Sequence, residues 1–185
     1  MVPSLVMQAL KEPEAFAVER AEGVTWPTLG ALVATASVGV GAYGAAMHAW
    51  EGAGAMLSAA VVATVAAGIA WSASIPSLYI LGGLSGSSLR LPAILLASLI
   101  TVSFGGLAML ASIPVLWFFE LCVPHEVMRW AVNLVVFAGV GASMADVFLR
   151  VMTRLEGFSL RHPAWLALLS VVGAEMFYVL GLFDF

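Results

Sequence analysis

Glu175 is the residue whose type and position most demand a chemical account. It stands about 12 residues into the apolar run from Pro163 to Leu182. At about 1.5 Å per residue, that places it near the middle of a bilayer if the run crosses one. An ionisable side chain at that depth is costly, turns toward protein or water, and marks a functional site by default. A carboxyl without a counter-ion in hydrocarbon binds a proton, and then donates one hydrogen bond. Ser37, Ser58, Thr64, Ser103 and Ser143 are candidate acceptors on other runs. Two readings follow: a site that handles a proton or cation, with Asp146 and Ser143 beside it, or a neutral hydrogen bond between helices.

The remaining reactive types are sparse. Asp146 and Arg150 are four residues apart, which puts both on one face of a helix and predicts a local ion pair. His48, His125 and His162 fall at the ends of separate apolar runs. His125 and Glu126 are adjacent in a connecting loop, which is poor spacing for a metal site. The single Cys122 excludes an internal disulfide and any multi-cysteine metal site. No G-x-S-x-G elbow or H-E-x-x-H pair occurs. The GGLSGSS stretch after Leu81 lacks the lysine of a phosphate-binding loop, and no strand precedes it. The expectation is a protein with no catalytic residues, no metal and no cofactor. Bound lipid near Pro76 or Pro114 is the one small molecule expected.

The elements that carry these residues are apolar helices. The stretch Pro92–Phe119 holds 28 residues without one charged side chain. At about 1.5 Å per residue it exceeds the roughly 30 Å hydrocarbon core. Of all 185 residues 62% are hydrophobic and 10% charged, with a mean hydropathy of +1.05. Soluble domains carry about 25% charged residues, so too few charges exist here to clothe a globule. The fold class expected is all-α, a transmembrane bundle of five helices at about 26–50, 55–79, 92–119, 130–148 and 163–182. Residues 1–25 form a separate segment, read either as a short helix in the headgroup layer or as a polar tail. Met1–Leu10 has no basic n-region, so the first span is expected to act as an uncleaved insertion signal.

Packing and orientation are also written in the sequence. Small residues at four-residue spacing let helix backbones approach. They occur as Gly30–Ala34 and Gly41–Ala45 in the first span, and as Ala138–Ala142, Gly139–Ser143 and Gly141–Ala145 in the fourth. Gly105-Gly106 marks a thin point in the third. Pro76 is expected to kink or end the second span, and Pro114 to bend the third. Five spans would put Lys11, Arg20, Arg90, Arg150, Arg154 and Arg161 on one side and only Arg129 on the other. That asymmetry predicts a cytoplasmic N-terminus and an external C-terminus in a cell inner (plasma) membrane. Seven basic residues in all, with no basic stripe, exclude nucleic acid as a partner.

The segments ALKEPEAFAVERAEGVTW, SIPSLYILGGLSGSSLRL and LASLITVSFGGLAMLASIPVLWFF resemble the Ypt/Rab-interacting (Yip) family of membrane proteins, in particular a bacterial branch of small multi-pass members. The acidic-Leu-Tyr-Gly-Pro signature of the eukaryotic members is absent. The resemblance implies five spans and no established activity. The functional expectation is a non-enzymatic membrane subunit or scaffold, in contact with lipids and with other membrane chains or copies of itself. The alternative is an oligomeric ion or proton conduit built on Glu175 with Asp146.

Overall fold

The computed structural model describes residues 2–21, 23–123 and 125–179. They form seven helices: α1 (Val2–Lys11), α2 (Pro13–Arg20), α3 (Trp26–Met47), α4 (Ala53–Leu84), α5 (Leu91–Cys122), α6 (Glu126–Glu156) and α7 (Arg161–Val179). Four of them, α3 to α6, are long and apolar enough to cross a membrane, as an integral membrane protein requires. Four of the five expected spans are among them. Within its described residues α7 has 19 positions, opens on Arg161 and His162, and carries Glu175, and it is not among the four. The expected end of the last span at Leu182 lies outside the described residues.

Helix bounds move for physical reasons. The second span, expected at about 55–79 with a kink or an end at Pro76, continues as α4 to Leu84 with Pro76 inside it. Proline removes the hydrogen bond to the carbonyl four residues back. Hydroxyls flank that gap: Ser74 Oγ donates to Ala70 O at 2.6 Å and Ser77 Oγ to Ala73 O at 3.1 Å. The carbonyl that loses its helical donor is Ser72 O, and the two hydroxyls serve carbonyls on either side of it. Pro114 is likewise interior to α5, with Ser112 Oγ on Ala108 O. Gly82 and Gly83, expected in the loop, end α4 instead, and the turn is shortened to 85–90. Gly86 supplies its left-handed residue at φ 82°. In α6 the helix outlasts its apolar part by two turns and stops at Gly157, φ 84°.

The N-terminal segment is the helix pair α1–α2, and its apolar face is buried in the bundle. Ala9 and Phe16 are fully buried, in one cluster with Leu32, Ile94, Ile100, Val147 and Phe148. The Arg20 guanidinium lies 4.8 Å over the Phe16 ring.

At the centre of the bundle is α5, 67% buried along its most apolar window against 17% for α4. Its closest neighbour is α3. A Cβ on Gly39 would overlap the Gly106 carbonyl, and one on Gly106 would come within 2.8 Å of Ala36 O. Beside this contact Ser103 Oγ shares its hydrogen between Leu32 O of α3 and Leu99 O of its own helix, each at 2.7 Å. A second close approach sets α3 on α4, where a Cβ on Gly44 would come within 2.9 Å of Ala59 O. Gly105 gives room to Met144 of α6.

Replacing Gly39 by leucine is therefore expected to separate α3 from α5 and to destabilise the bundle by about 3 kcal/mol or more. Gly30→Leu, at an exposed position with open space around it, is expected to leave stability unchanged. Unfolding midpoints of the two variants in mixed micelles check the pair.

Candidate functional site

Polar groups in the structure gather in three places, and Glu175 stands apart from all of them. Ala164, Leu168, Val171, Glu175 and Tyr178 are all on the exposed side of α7. Among the described residues Glu175 makes no hydrogen bond or ion pair. Four of the five hydroxyls expected as its partners, all but that of Ser37, are engaged elsewhere. Ser58 donates to Ala55 O, Thr64 to Ala60 O and, at 3.5 Å, to Ser37 O, and Ser143 to Gly139 O. Ser103 is occupied between α3 and α5. The structure does not bring Glu175, Asp146 and Ser143 together.

The first place is the end of the bundle where α1–α2, the 85–90 turn and the last turns of α6 meet. Arg150 joins two acids there. Its Nε donates to Asp146 Oδ2 at 2.9 Å, the pair that the four-residue spacing predicts. Its Nη1 donates to Glu14 Oε1 at 2.7 Å, 136 residues away. Asp146 thus belongs to a clasp between α2 and α6. Next to the clasp, α2 and α6 leave an open groove of about 510 Å³, lined by Lys11, Glu12, Glu14, Val18, Glu19 and Arg154.

At the same end Glu156 closes a buried node. Ser87 Oγ donates to Glu156 Oε2 at 2.5 Å, and His162 Nε2 lies 3.3 Å from Glu156 Oε1. His162 is fully buried and the Glu156 side chain is 5% exposed. The His162 ring packs on Trp165, centroids 5.5 Å apart, and Trp165 lies against Gly82 of α4. Serine, acid and histidine are the components of a hydrolytic triad, but their order is wrong for one. A triad needs the imidazole against the serine and the acid behind the imidazole. Here the carboxylate stands between them and accepts the serine hydrogen bond itself, so the imidazole does not face the hydroxyl. The node fastens three segments: the 85–90 turn, the end of α6 and the start of α7.

The second place is the bundle interior. Tyr43 OH donates to Asn133 Oδ1 at 2.8 Å, and Asn133 Nδ2 donates to Arg129 O at 3.0 Å. Tyr43 meets the edge of Phe137 at 5.7 Å. Both polar groups are buried, and each satisfies the other. The third is the end opposite the clasp. Arg129 Nε lies 2.6 Å from Glu120 Oε1, a charge contact without hydrogen-bond alignment. His48 Nδ1 contacts Glu51 at 3.0 Å, and His125 caps α6 by accepting from Val127 N. The side chain of Glu126 lies outside the described residues. Among the described residues no three metal-ligating groups converge.

The packing stripes divide. Gly41 lies against Thr64 of α4, with Ala45 half-buried beside it. Gly30 and Ala34 face outward, as do Ala138, Gly139, Gly141 and Ala142; Ser143 and Ala145 are half-buried. A Cβ at Gly139 or Gly141 would meet nothing within 4 Å. The stripe on α6 that reads as the chain's strongest packing face is thus unoccupied. Sequence reading also missed the Glu156 node and the Tyr43–Asn133 bond. Neither has a local signal, since each joins residues from separate elements.

Comparison with known proteins returned no matching family model, no matching curated protein and no matching solved structure.

Glu156→Ala removes the acceptor of both Ser87 and His162 and leaves two buried groups without it. The linker 157–160, which carries the exposed Phe158, is then expected to open more often. Chymotryptic cleavage at Phe158 in micelles should rise at least about fivefold, in line with a loss of roughly 1–3 kcal/mol of local stability. An unchanged rate would mean that the node does not hold the linker.

Proposed function

We propose that this chain is a non-enzymatic integral membrane subunit or scaffold that packs sideways into a larger membrane complex. In this reading α7 is a fifth span, residues 1–25 are cytoplasmic and the C-terminus is external. The membrane is the cell inner (plasma) membrane, and the chain is a bacterial member of the Yip-like proteins. The clustering of Lys11, Arg20, Arg90, Arg150 and Arg154 in the elements of the clasp end supports that orientation.

One observation carries the proposal: the empty small-residue face of α6. Inside the molecule, close helix approaches use glycine, as at Gly39–Gly106 and at Gly44 over Ala59. Ala138, Gly139, Gly141 and Ala142 form the same kind of surface with none of the described residues on it. Lipid gives helices no hydrophobic reason to associate, so small residues that admit a neighbouring backbone are what marks a membrane interface. Extraction in mild detergent is expected to yield a particle larger than the 19.3 kDa chain. The double variant Gly139→Leu, Ala142→Leu should shrink it. A monomer without partners would overturn the proposal.

A second reading, an oligomeric proton or ion conduit, rests on the outward position of Glu175. Proton flux into liposomes is then expected to fall at least about tenfold on Glu175→Gln. Equal or absent flux in both proteins would remove it.

A further inference from the structure

We infer that α7 pairs with α7 of a second copy of this chain, in parallel, with the two Glu175 carboxyls facing each other. The inference rests on the preceding reading, that α7 crosses the membrane and the chain packs laterally. It names the partner.

Ala164, Leu168, Val171, Glu175 and Tyr178 are all exposed, and their spacing is four, three, four, three. That is the alternation by which two helices in a shallow left-handed crossing present one continuous seam to each other. On its other side α7 is anchored to the bundle through Trp165 and Gly82. The seam is therefore an outward face of a docked helix, apolar except at one position.

Glu175 selects the occupant. A carboxyl facing hydrocarbon needs a hydrogen-bonding partner at its own depth. The chain's basic residues are Lys11, Arg20, Arg90, Arg129, Arg150, Arg154 and Arg161, all in the terminal helices, in turns or near helix ends. Asn133 is buried against Tyr43. Two copies in one membrane share an orientation, so a two-fold axis along the membrane normal brings the same residue of each to the same depth. A protonated carboxyl is both donor and acceptor. Two of them satisfy each other by a reciprocal pair of O–H···O bonds, with no other group required. A second copy thus supplies, by symmetry alone, the partner that Glu175 lacks among the described residues.

Cysteine cross-linking in native membranes tests this. The lone Cys122 is first replaced by serine. Single cysteines are then placed at Leu168, Val171 and Tyr178 on the seam and at Ser170 beside it, with Glu175 intact. Oxidation is expected to give a disulfide-linked homodimer at the seam positions at least about fivefold faster than at Ser170. In the Val171→Cys background, Glu175→Gln should keep the cross-link, because an amide also donates and accepts. Glu175→Leu should reduce it several-fold. Equal rates at Ser170, no homodimer at any seam position, or cross-links only to a different polypeptide would each overturn the inference. If the seam gives no homodimer while the detergent particle still exceeds the monomer, the subunit reading stands and this one fails. A monomeric particle removes both.

Discussion

The backbones of α3 and α5 touch at Gly39 and Gly106, and the placement of the other helices depends on that contact. Side chains of any size would hold the two axes apart, because the atoms that a Cβ would meet are backbone and cannot turn aside. Close approach brings the Ser103 hydroxyl within reach of Leu32 O across the interface. In an apolar medium such a hydrogen bond and dense packing replace the hydrophobic drive available in water. With α3 and α6 both packed on α5, Tyr43 OH comes within 2.8 Å of Asn133 Oδ1.

The two ends of the bundle are held differently from its middle. Where α1, α2, the 85–90 turn and the ends of α6 and α7 converge, fastening is by charge and hydrogen bond: Arg150 between Glu14 and Asp146, Glu156 between Ser87 and His162. Each set joins a local pair to one distant residue: Glu14 lies 136 positions from Arg150, and Ser87 lies 69 from Glu156. The apolar cluster around Phe16 lies against the same elements. The result is a cap in which α2 covers one end of the bundle, while α4, α6 and α7 keep large apolar side chains on their outward faces.

Much of the architecture was legible in the residues. Hydropathy and length gave α3 to α6 to within a few residues at most ends, because a long apolar run has few other solutions in so small a chain. The Asp146–Arg150 pair followed from helical spacing. What local pattern could not supply was partnership. Pro76 reads as a terminator until Ser74 and Ser77 are seen beside it. The α6 stripe and Gly39 are built from the same kinds of residue, yet Gly39 meets a helix and Gly139 meets nothing. Glu12, Glu14 and Glu19 suggest a solvated tail, although Phe16 and Ala17 between them are buried. Glu156 and His162 read as loop residues, since Ser87, which completes their node, is 69 positions away.

The hydrogen bond from Arg150 to Glu14 has a consequence for how the molecule is made. Ribosomes add roughly 5–20 residues per second, and 136 positions separate the two partners. The N-terminal helix pair therefore exists for about 7 to 27 s before its seat on α6 has been synthesised. Through that interval Phe16 and Ala9 can meet Leu32, and later Ile94 and Ile100, but not Val147 and Phe148. Their pocket is closed only when the fourth long helix arrives.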